Sequence, residues 1–71
     1  MKSTTAMTRE EYINFTINCL KINAKNFVEA HYPELKEYFA EQIGNNQYEL
    51  VKLGFTWEQV EEMENETYAS A

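Results

Sequence analysis

The chain has 71 residues, 44% of them hydrophobic and 14% aromatic, and a net charge of −6 from twelve acidic and six basic residues. That is enough for one folded domain and no more. The basic residues (Lys2, Arg9, Lys21, Lys25, Lys36, Lys52) are too few and too scattered to displace the counterions of a nucleic acid or to hold an anionic membrane, so both are excluded as direct partners.

Residues 1–7 (MKSTTAM) carry one Lys and no apolar run, and read as a flexible lead rather than a secretory signal. Cys19 is the only cysteine, which leaves no intrachain disulfide or thiolate metal cluster. With no stretch of membrane-span length either, the expected compartment is the cytoplasm. All twelve acidic residues are glutamates. Glutamate favours helix interiors where aspartate favours caps and turns, so the negative charge is expected to ride on helices.

The first helix is predicted from Thr8. Thr8 and Glu11 have capping-box spacing, and Ile13, Ile17, Leu20, Ala24, Phe27, Val28 and His31 recur at helical steps. A second stripe of Tyr12, Phe15, Cys19 and Ile22 lies beside the first. The later helices or another molecule must cover a surface that apolar. A helix from Thr8 to Ala30 would be roughly 35 Å long, while a compact domain of this size has a radius of gyration of about 11 Å. It should protrude, pair with a copy of itself, or break near Asn23 and Asn26, the weakest helix formers in the run.

Pro33 ends this segment and suits the first turn of a second helix, with Leu35, Tyr38, Phe39, Gln42 and Ile43 as its apolar stripe and Gly44 as its stop. Asn45-Asn46 reads as a turn, followed by a short third helix carrying Tyr48, Leu50, Val51 and Leu53 and closed by Gly54. Phe55-Thr56-Trp57-Glu58-Gln59-Val60 has the spacing of a capping box with a hydrophobic staple, and opens the last helix. The fold expected is all-α: a bundle of three to four helices with a long first helix, one domain over residues 8–68, and a frayed end at 69–71.

Chemistry-bearing patterns are sparse. Leu53-Gly54-Phe55-Thr56 between two helices has the look of a helix-turn-helix, but its second helix would push Glu58, Glu61, Glu62 and Glu64 towards phosphates, which excludes direct DNA reading. His31 has no nucleophile in reach, and a cation there serves the C-terminus of the first helix. One histidine with dispersed glutamates is no zinc ligand set, and a chain without Asp has no calcium loop. No catalytic residue, cofactor or metal is therefore expected.

What remains is contact with other macromolecules. Trp57, Glu58, Glu61, Glu62 and Glu64 would form a docking face for a protein with a basic surface, making the chain a non-enzymatic regulator or inhibitor of viral or mobile-element character. Tyr12, Phe15, Cys19 and Ile22 would join a homodimer if the rest of the chain leaves them uncovered. In the third alternative the carboxylates imitate phosphates and block a nucleic-acid-binding protein.

Overall fold

A computed structural model describes residues 7–70. They form three helices and no strand: α1 (Arg9–Glu29), α2 (Pro33–Lys52) and α3 (Trp57–Ser70). The chain runs up, down and up. α1 and α2 form an antiparallel hairpin, and α3 turns back to lie beside both.

The starts and stops are chemical. Thr8 Oγ1 accepts from the Glu11 backbone N–H at 3.1 Å while Glu11 Oε1 accepts from that of Thr8 at 2.9 Å, and Thr56 and Gln59 repeat the exchange before α3 at 3.1 and 2.9 Å. Each box satisfies two donors that the first turn otherwise leaves orphaned. Pro33 stands at the first turn of α2, after extended backbone at Ala30 and Tyr32. α2 stops in a Schellman turn: the Gly54 N–H donates to Val51 O and the Phe55 N–H to Leu50 O, both at 3.1 Å. The turn places Gly54 at φ 114°, a region that disfavours any side chain.

Gly44 does not end the second helix. α2 runs unbroken through Gly44-Asn45-Asn46, so the predicted second and third helices are one. Nor does α1 break at Asn23 or Asn26. Two misread signals explain each other, because Asn23 Nδ2 donates to Asn46 Oδ1 at 2.8 Å across the hairpin. Each asparagine is a poor helix former whose amide finds its partner on the neighbouring helix, so tertiary structure overrides local propensity.

The hairpin also caps itself reciprocally. α1 has no basic residue in its last turn. Lys36, from the first turns of α2, donates to Phe27 O at 2.9 Å and lies 4.8 Å from the centre of the Phe27 ring. At the other end Arg9, in the first turn of α1, donates to Leu53 O at the end of α2. Each cation sits at the unfavourable end of its own helix dipole and the favourable end of its neighbour's. The role expected of His31 belongs to Lys36; His31 is exposed in the linker beyond α1.

The buried apolar core consists of Leu20, Ala24, Ile43, Leu50 and Val60, with Ile17, Phe27, Val51, Leu53, Phe55, Met63 and Tyr68 packed round it. At the start of α3, Val60 is buried in the core and Phe55 packs against that core. α1 is about 31 Å long and α3 about 21 Å at 1.5 Å per residue. The hairpin therefore runs past the end of α3, and the radius of gyration is 13.5 Å. Of the three fates open to a long first helix, protrusion is the one this single chain adopts. Helix continues through Ala69 and Ser70, where a frayed end was expected, while Ala71 and residues 1–6 of the expected lead lie outside the described residues. No helix among the described residues is long and apolar enough to cross a membrane.

Candidate functional site

The glutamates of α3 divide by the turn of the helix. Residues 58, 61, 62 and 65 share one side at 3.6 residues per turn. Glu58, Glu61, Glu62 and Asn65 are all exposed there and line a shallow, open concavity of about 300 Å³. Asn65 was not placed on the docking face from the sequence, although its spacing from Glu58, Glu61 and Glu62 continues the stripe. Trp57, 54% exposed, stands at the head of the same helix. Among the described residues the ion pairs are Lys21–Glu66 and Lys52–Glu49, so Glu58, Glu61 and Glu62 have no cationic partner.

Glu64 does not belong with them. It is half-buried on the side facing α2, where its carboxylate accepts from Gln47 Nε2 and from the Tyr68 hydroxyl. Burial, the bond to Glu64 and the Glu64 charge together push the Tyr68 phenol up to about 12. Ionising Tyr68 would place a second negative charge beside Glu64. Met63, a potential apolar anchor for a partner, also points inward and packs on the core. Glu66 reaches back to Lys21 at 3.5 Å. Of the acidic residues expected to dock, Glu58, Glu61 and Glu62 are thus exposed near Trp57, whereas Glu64 is turned to Gln47 and Tyr68.

The stripe on α1 is split rather than buried. Tyr12 turns towards α2, donating to Glu49 Oε2 at 3.0 Å, and Cys19 is half-buried. Phe15 and Ile22 remain 50% and 59% exposed, so the later helices do not cover them. Leu35 and Tyr38, expected on the inner stripe of α2, are also exposed. The cause is the number of helices: a single third helix fills one side of a two-helix hairpin and leaves the other open. Ile22 borders an open groove of about 680 Å³ between α1 and the end of α3, which Lys21 and Lys25 line from α1 and Thr67 and Ser70 from α3.

Among the described residues no group of three His, Cys or Glu side chains gathers to hold a metal ion. Compared with known proteins, the chain matches no family model, no curated protein and no solved structure.

Proposed function

We propose that the protein is a small non-enzymatic regulator or inhibitor that docks through α3 on a larger protein with a basic surface. The observation that supports this reading is the set of three exposed carboxylates, Glu58, Glu61 and Glu62, with no cationic partner among the described residues and an exposed Trp57 beside them. An aromatic anchor with a one-signed rim is the composition that steers association and then holds it. The like charges at Glu58 and Glu61, and at Glu58 and Glu62, are three and four residues apart on one helix. Each such pair costs α3 about 0.2–0.5 kcal/mol. Nucleic-acid mimicry has less support, because Lys21, Lys25, Lys36 and Lys52 interrupt the negative surface.

The reading is tested by capture from a lysate of the source cell, comparing the native chain with one carrying Glu58→Lys, Glu61→Lys and Glu62→Lys. A bound protein that is lost on charge reversal, while far-UV helicity is retained, supports the acidic face as the dock. Equal capture by both chains sinks the assignment. Competition between the captured protein's nucleic acid and this chain for one groove would move the reading to mimicry.

A further inference from the structure

We infer that Glu64 is a positioning residue: bonded to Gln47 of α2 and to Tyr68, it sets the roll of α3 about its own axis and so keeps Glu58, Glu61 and Glu62 turned to solvent. What this does for docking rests on the face proposed above, whereas the roll is a property of the free chain. The sequence of α3 leaves that roll open. Trp57, Val60 and Tyr68 mark one seam, in which Glu64 stands four residues from Val60 and four from Tyr68, and Val60, Met63 and Thr67 mark a second. At 3.6 residues per turn the two seams lie about 70° apart.

Val60 belongs to both seams and is the buried residue of α3. Met63, Glu64, Thr67 and Tyr68 are half-buried to either side of it, and Trp57 is exposed. Burial of apolar surface is non-directional, so Val60 alone does not choose between a helix rolled towards one seam and a helix rolled towards the other.

Glu64 makes the choice through two directional bonds. Its Oε1 accepts from Gln47 Nε2 across the boundary between α2 and α3, and its Oε2 accepts from the Tyr68 hydroxyl one turn further along α3. Among the described residues the carboxylate has no ion pair. A roll that carried Glu64 towards the core would strip water from a charge with no countercharge beside it, and a roll in the other sense would draw it away from Gln47. One polar residue in an otherwise apolar seam fixes the orientation of packed helices at some cost in stability. In the orientation so fixed, Met63 packs on the core, while Glu61, three residues before Glu64, is exposed together with Glu58 and Glu62.

An apolar side chain at position 64 completes the first seam, and in Glu64→Leu the helix is expected to roll until positions 57, 60, 64 and 68 face the hairpin. Glu61 then turns in against α2 and Met63 turns out. The readout is broadening of the Met63 and Glu61 side-chain resonances by an uncharged, soluble gadolinium chelate, in the free full-length chain. Relative to the native chain, Glu64→Leu should lose protection at Met63 and gain it at Glu61, and Glu64→Met, of the same length and equally favourable to helix, should repeat this. Glu64→Gln, which keeps a hydrogen-bonding group towards both Gln47 and Tyr68, should leave both residues as they are. A reciprocal exchange of protection is the mark of a roll, whereas a carboxylate that only added stability would leave the pattern unchanged or expose both residues together. An unchanged pattern in Glu64→Leu, exposure of both residues or loss of far-UV helicity in both apolar variants, or a glutamine variant that follows the leucine one overturns the inference. No partner takes part in the measurement, so its failure leaves the charge-reversal capture standing, and failure of that capture leaves the roll standing.

Discussion

The hairpin and α3 are held by different means. The two long helices interlock through a core from both, an asparagine pair and cations exchanged at each end, Lys36 supplying the basic residue that the last turn of α1 lacks. α3 contributes one fully buried residue, Val60, and is otherwise tied by half-buried contacts and by Glu64 and Glu66 reaching to the hairpin. Among the described residues its outer glutamates have no ion-pair partner. The difference teaches that charge on α3 divides by side: Glu64 and Glu66 contact the hairpin, while Glu58, Glu61 and Glu62 face solvent.

The comparison breaks most visibly in the core. Leu50→Ala empties a fully buried site in the hairpin and is expected to cost about 2–5 kcal/mol, enough to unfold much of so small a domain. Val60→Ala should cost less, about 1–3 kcal/mol, and appear first as loss of hydrogen-exchange protection in α3 with the hairpin retained. Uniform loss of protection along the chain would mean that the two regions form one cooperative unit.

Asn23→Ala leaves the half-buried Asn46 amide without its partner and is expected to cost about 1–2 kcal/mol by denaturant unfolding. A change within error would show that water serves Asn46 as well as Asn23 does. Gly44→Ala should act in the opposite direction. Gly44 lies inside α2 with nothing within 4 Å of where a methyl would stand, so alanine is expected to stabilise by about 0.5–1 kcal/mol.

Alkaline pH makes the smallest and most local test. The Tyr68 phenol titrates near 12 when folded and near its ordinary 10 when unfolded. Its contribution to stability is therefore complete below pH 10 and fades as pH rises through 12. Over that window the native chain should lose stability more steeply than Tyr68→Phe; equal slopes would remove the Glu64–Tyr68 contact from the account.

Both capping boxes, the proline start of α2, the Gly54 stop and the all-α class were legible because each rests on residues a few positions apart. The continuity of α2 was not. Gly44-Asn45-Asn46 reads locally as a stop and a turn, and only a partner 23 residues away on another helix reverses that reading. Glu64 was misplaced for the same reason: beside Glu58, Glu61 and Glu62 it looks like one more surface charge, and only Gln47 and Tyr68 make it structural. Leu35 and Tyr38 were read as inner-face residues because periodicity marks an apolar side without saying how much of it a short third helix can reach.

The central claim is that Glu58, Glu61 and Glu62 are not part of what holds the fold together. Chemical unfolding of the Glu58→Gln/Glu61→Gln/Glu62→Gln chain at low salt tests it directly. Relief of like-charge pairs and loss of one first-turn carboxylate offset each other, so stability is predicted to stay within about 0.5 kcal/mol of the native chain. A loss above about 1.5 kcal/mol would contradict the account and make those carboxylates structural.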